Sequence, residues 1–177
     1  MGFWGYYLVG RGERPLAEQD ALARVRSDLV LHSRRPGGWQ VWRAPSEPDL
    51  GDMGALARSA GVPVLFGFVM DSACVAVEGA APGSGSWYAC LARENMAGFL
   101  ATGEMTLDDL YPSPEDAARL AAEWAAEAGA GVETGPLREI LRAPRPEPIA
   151  AGAEELFFGF LQRLGIPDES GASVAAG

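Results

Sequence analysis

Residues 3–9, Phe3-Trp4-Gly5-Tyr6-Tyr7-Leu8-Val9, leave no polar side for water to meet. Aromatic and β-branched residues favour the pleated strand, and successive strand side chains point to opposite faces. Trp4, Tyr6 and Leu8 then share one face, and Phe3, Tyr7 and Val9 the other. A strand that is apolar on both sides needs a cover above and below, which puts it in the middle of a sheet. Val62 to Met70 repeats the pattern, so a second central strand is expected there.

A chain of 177 residues fits one domain, expected over residues 1–167, with 168–177 as a disordered tail. No apolar run approaches the ~20 residues that span a bilayer. The N-terminus offers an aromatic strand where a secretory signal would place a basic segment, so the expected location is cytoplasmic. Cys74 and Cys90 are then reduced thiols. All 14 basic residues are Arg, in keeping with a composition rich in Ala, Gly and Pro, which share GC-rich codons. Charge divides unevenly. Residues 1–70 hold eight Arg against seven acids, and residues 71–177 hold six Arg against seventeen. An acidic second half argues against nucleic acid or an anionic membrane as partner and permits a basic protein.

Arg14-Pro15-Leu16 reads as a helix start, with Leu16, Leu22 and Val25 as its apolar positions. A hairpin follows. Arg35-Pro36-Gly37-Gly38 suits a type II turn, in a register that sets Leu31 opposite Trp42 and His32 opposite Val41. After a loop at residues 44–48, residues 50–60 have helical spacing and stop at Gly61 and Pro63. The order β-α-β-β-α-β is the split arrangement of ferredoxin-like folds. A further hairpin spans residues 74–91, with Val77 expected opposite Trp87 and Cys74 opposite Cys90. Beyond Asn95 the period is helical: short helices at residues 95–103 and 106–110, a longer one opened by Ser113-Pro114-Glu115-Asp116, another at 136–142 and a last at 153–164. On the long helix Arg119 and Glu123 are spaced to pair. The fold class expected is α+β: a mainly antiparallel sheet with packed helices and a helical C-terminal third.

Signals for chemistry are sparse. His32 is the only histidine, which removes multi-histidine zinc sites, and no catalytic residue is assigned. Gly83-Ser84-Gly85-Ser86 and Gly10-Arg11-Gly12 lack the spacing of a phosphate loop and read as turns. Glu104, Asp108 and Asp109 could face a hard cation, but Thr106 with Asp109 reads better as a capping box. No metal and no cofactor are expected. The strand-rich aromatics Trp4, Tyr6, Tyr7, Trp39, Trp42, Trp87 and Tyr88 could stack bases, yet no basic groove accompanies them and core packing is the better reading. Asp71-Ser72 breaks the second apolar strand where sites are often built, although an Asp turn that caps its own backbone explains it more simply.

The run Trp4-Gly5-Tyr6-Tyr7-Leu8-Val9-Gly10-Arg11, with Glu13-Arg14-Pro15-Leu16, resembles small proteins of high-GC actinobacteria such as streptomycetes. Gly38-Trp39-Gln40-Val41-Trp42 and Pro114-Glu115-Asp116-Ala117-Ala118 extend that resemblance over most of residues 1–166. Those proteins carry no assigned activity, so it transfers no functional residue. The function expected is a non-enzymatic interaction protein, for example an inhibitor of a basic toxin, using Glu123, Glu127 and Phe158. The alternative is a small-ligand or enzymatic cleft formed by Tyr6, Arg11, Asp71, Ser72 and Trp87. Either a monomer or a homodimer fits.

Overall fold

The computed structural model describes residues 2–45 and 50–169, so part of the loop expected at 44–48 and most of the expected tail lie outside the described residues. Six strands form one sheet: β1 (Gly5–Arg11), β2 (Val30–Arg35), β3 (Trp39–Pro45), β4 (Val64–Met70), β5 (Cys74–Ala81) and β6 (Gly85–Leu91). Their order is β2-β3-β1-β4-β5-β6, and every neighbouring pair is antiparallel. The two doubly apolar segments, β1 and β4, take the two middle places. β1 and β2 run parallel with β3 between them, and β3 and β4 run parallel with β1 between them. That is the split arrangement expected from the element order, extended at β4 by the β5–β6 hairpin.

Helices cover the faces unequally. On the Leu8 side, α1 (Met53–Ala60) buries Met53, Leu56 and Ala57. Asp52 starts it by accepting the Gly54 and Ala55 N–H groups, and Gly61 ends it at φ 68°. Instead of a helix after Pro15 there are three short 3₁₀ turns, Leu16–Glu18, Asp20–Leu22 and Arg26–Asp28. The chain is extended at Gln19 (ψ 137°), and Arg26 donates to the carbonyls of Ala17, Glu18 and Gln19, which a helix would have used itself. Leu16, Leu22 and Val25 are buried as expected. On the opposite face, α4 (Pro114–Glu127), α5 (Thr134–Leu141) and α6 (Gly152–Arg163) close over Tyr7, Val9, Val75, Val77 and Trp87. Glycines admit the largest rings: a Cβ at Gly67 would lie 2.5 Å from Phe157, and one at Gly79 would overlap the Trp87 indole. Trp124 of α4 is fully buried, and its Nε1–H donates to Val64 O at 3.2 Å and Ala80 O at 3.1 Å.

Two registers differ from expectation. In the first hairpin Leu31 faces Trp42 as expected, but a bulge at His32 sets Ser33, not His32, opposite Val41. Gly37 takes φ 82° and ψ 13°, the second central position of a type II turn. In the second hairpin Gly79, not Val77, faces Trp87, because the strands run on to Ala81 and Gly85. A slip of two residues preserves the faces, so Val75, Val77, Trp87, Ala89 and Leu91 all lie on the buried side. Cys90 therefore faces Ala76, and Cys74 faces Met70. Both thiols are free and buried with Met96 beneath α2 (Arg93–Leu100). The capping box of Thr106 and Asp109 is present at α3 (Leu107–Leu110), and Ser113 caps α4.

Candidate functional site

The five residues expected to line one cleft lie apart. Arg11 ends β1, where it donates to Gly37 O at 2.6 Å and to Ala128 O at 3.0 Å, the C-terminus of α4. Asp71 and Ser72 sit at the start of β1, separated from Arg11 by the length of a seven-residue strand, about 20 Å at ~3.4 Å per residue. Trp87 is 3% exposed in the helix-covered core against Trp124 and Phe160, and its Nε1–H has no partner among the described residues. Tyr6 alone of the five faces the open side of the sheet.

Asp71 and Ser72 form a structural knot. Both take φ 52° in the tight turn closed by Ala73 N–H to Met70 O, a conformation costing about 1–2 kcal/mol per non-glycine residue. The turn caps a distant segment, not its own backbone as expected. Asp71 Oδ1 accepts the Gly2 N–H, and Ser72 Oγ accepts the Phe3 N–H while donating to Glu154 Oε1, each at 2.7 Å. Ser72 O accepts the Ala153 N–H at 2.8 Å. The knot joins the entry to β1, the β4–β5 turn and the start of α6. Ser72→Ala strands the Phe3 N–H and a Glu154 carboxylate whose Oε2 is already buried with no partner among the described residues. The expected loss is about 1–3 kcal/mol, read as a lower urea midpoint at unchanged slope.

The residues expected to meet a protein are likewise engaged within the fold. Glu123 pairs with Arg119 at 2.9 Å. Glu127 accepts from Gly83 N–H, Ser84 N–H and Ser84 Oγ, which anchors the β5–β6 turn to α4. Phe158 packs on Tyr7, His32 and Phe157, with the Arg35 guanidinium over its ring.

The open site lies between α1 and α2, on the face opposite α4–α6. The strand order carries Tyr6 of β1, Phe66 and Phe68 of β4, Glu78 of β5 and Tyr88 of β6 onto one side. Tyr6 stacks on Phe68 at 4.7 Å and tilts against Phe66 at 5.3 Å. Trp4 closes one end, 6.2 Å from Phe68 and edge-on to Phe99 of α2 at 6.0 Å. At the other end Glu78 lies directly across from Phe66 on one side and Tyr88 on the other. Trp4, Phe99 and Tyr88 keep 45%, 42% and 49% of their surface exposed. The six rings form an aromatic groove floor with Glu78 at one end: Trp4, Phe99 and Tyr88 stay exposed, while Tyr6 and Phe66 pack partly buried against the Leu8 cluster.

Burial pushes the Glu78 carboxyl above its ordinary value, the Tyr88 hydroxyl draws it back, and the negative charge of Asp52 pushes it up again. Tyr88 is raised first by the charge of Glu78 and then by burial. The carboxylate thus stands partly desolvated between Phe66 and Tyr88, and aromatic faces also attract cations. A guanidinium or ammonium entering the groove would meet both attractions. The segment 93–111, which carries Phe99, adds Glu94, Glu104, Asp108 and Asp109 against one Arg.

Neither thiol offers a nucleophile: burial raises Cys74 to about 12 and Cys90 to about 11. Among the described residues no group of three or more His, Cys, Asp or Glu side chains could hold a metal ion. No helix among them is long and apolar enough to cross a membrane. The sequence reading included Trp4, Tyr6 and Tyr88 among its aromatics but missed Phe66, Phe68, Glu78 and Phe99. Glu78 is an acid in an otherwise apolar alternating strand, and that was the available signal. Comparison with protein-family models, with curated proteins and with solved structures finds no match to this chain.

Proposed function

We propose that this chain is a non-enzymatic interaction protein of the cytoplasm that binds a basic protein partner through the aromatic groove, with an Arg or Lys side chain of the partner seated between the rings and Glu78. The observation that carries the reading is the exposed rings of Trp4, Phe99 and Tyr88 on the same face as the half-buried Glu78 carboxylate, on a protein of net charge −10. Contiguous exposed apolar surface marks interaction sites. Trp and Tyr anchors dominate interface energetics, and acid facing a basic patch raises association rates in a salt-dependent way. Free buried thiols suit a reducing compartment. The alternative of a ligand cleft at Asp71-Ser72 loses support, because those side chains are bonded within the fold.

Pull-down from native lysate at low and high salt tests this, with a Trp4→Ala/Tyr88→Ala double variant beside the natural chain. The expected result is a stoichiometric basic partner that is held at low salt, released at high salt and lost in the variant. Equal capture by both chains, or no stoichiometric partner at low salt, overturns the proposal. Light scattering on the same samples separates this from homodimerisation through the rings.

A further inference from the structure

A second site lies on the other face of the sheet, at the outer edge. A cavity of about 330 Å³ opens between β2 and α6, among His32, Ser33 and Arg35 of the strand and Glu155, Phe158 and Gln162 of the helix. Such a volume is at the small end of ligand pockets, about 300–1,000 Å³.

Arg35 is its centre. The residue is only 8% exposed, and its guanidinium lies 5.5 Å above the Phe158 ring. Its hydrogen bonds, Nε to Ser33 Oγ and Nη1 to Pro167 O, are both 3.4 Å long, beyond the usual 2.7–3.2 Å. Among the described residues this buried five-donor cation has those two long hydrogen bonds, with the charges of Asp168 and Glu169 facing it. Burial lowers the Arg35 pKa, and the charges of Asp168 and Glu169 only partly restore it. A guanidinium in that condition suits a bidentate carboxylate.

The bulge at His32 shapes the rest. It turns the imidazole flat onto Phe158, at 5.5 Å and 3° between planes, with its edge to Tyr7. Burial and then the charges of Arg35 and Arg43 lower the His32 pKa, with Glu169 opposing them, which favours the neutral ring. Around the mouth stand Glu155, Asp168 and Glu169, with Gln162 Nε2 donating to Asp168 Oδ2 at 3.3 Å. A simple anion would meet those carboxylates, and a simple cation would meet Arg35. A molecule carrying both charges satisfies both sets.

We infer that this cavity binds a small zwitterion of the α-amino-acid type, its carboxylate on Arg35, its ammonium toward Glu155, and its side chain against Phe158. The site shares no residue with the groove, so either reading can fail alone.

Calorimetric titration of the twenty common L-amino acids into the full chain tests it, followed by the N-acetyl and C-amide forms of any that bind. The expected result is at least one binder, with affinity reduced about tenfold or more by blocking either end. Glu155→Gln and Gln162→Ala, both outside the core, should weaken it comparably with an unchanged melting temperature. Arg35→Lys, which keeps the charge and loses the fork, should abolish it, while Glu78→Gln should leave it untouched. Absence of any binder overturns the inference, as does equal binding of the acetylated form or loss of binding in Glu78→Gln.

Discussion

Trp124→Ala should lower stability by about 3–5 kcal/mol, the range for deleting a buried large aromatic side chain. Trp124 touches Trp39 and Trp87, placing one indole between the two halves of the helix-covered core. Its N–H also bridges the carbonyls of Val64 and Ala80, opposite residues on β4 and β5. Removing the ring leaves a cavity bounded by strands that cannot collapse into it, so the cost belongs toward the upper end. At ~2–4 °C per kcal/mol for a chain of this size, the melting temperature should fall by about 6–20 °C. Trp124→Phe keeps most of the volume but strands two carbonyls, for an intermediate loss of about 1–3 kcal/mol. Denaturant melts of both variants check the ranking. A Trp124→Ala chain that melts with the natural one would mean α4 is not held by this contact.

Glu78→Gln should act in opposite directions on stability and on binding. The folded state holds the Glu78 proton more tightly than the unfolded chain does, because burial and Asp52 disfavour the ionised form. A raised acid pKa makes folding relatively more favourable as pH falls and less favourable once the group must ionise. Below the ordinary carboxylate value both states are protonated, and the variant should match the natural protein. Above the raised folded value the natural chain carries the full penalty and the variant none, so the stability gain should be largest at neutral and alkaline pH. Binding should move the other way. Without the carboxylate the rings retain only their own attraction for a cation, about 0.5–2 kcal/mol, and affinity for a basic ligand should fall by about tenfold or more. A residue that costs stability yet anchors binding is what a functional site predicts. Melting curves across pH, paired with titrations, separate the two effects.

The sheet was legible in the sequence because its information is local. The doubly apolar runs in β1 and β4 take the two middle places of the sheet as expected. The cover expected on both sides is incomplete: Trp4 is 45% exposed and Tyr6, Phe66 and Phe68 are only partly buried. Even the misplaced β5–β6 register left the faces correct, since a two-residue slip returns each side chain to its own side. Failures came where long-range polar contacts decide the backbone. Arg26 takes the carbonyls of residues 17–19 and the segment becomes 3₁₀ turns. The partners of Asp71 and Ser72, Gly2, Phe3 and Glu154, lie 69 and 82 positions away. The groove was illegible for the same reason. Tyr6, Phe66, Glu78 and Tyr88 become neighbours only through strand order, and Trp4 meets Phe99 only through the seating of α2. Sequence parity assigned each ring a face but could not say which face stays open.

Titration of an Arg-rich peptide into the natural chain and into Glu78→Gln, at low and high ionic strength, tests the central claim most directly. Saturable binding to the natural chain is expected, weakened by salt and reduced about tenfold or more in the variant, while a Lys-free, Arg-free peptide of equal length stays unbound. Equal binding of the basic peptide to both chains, or none to either, would contradict the groove's role.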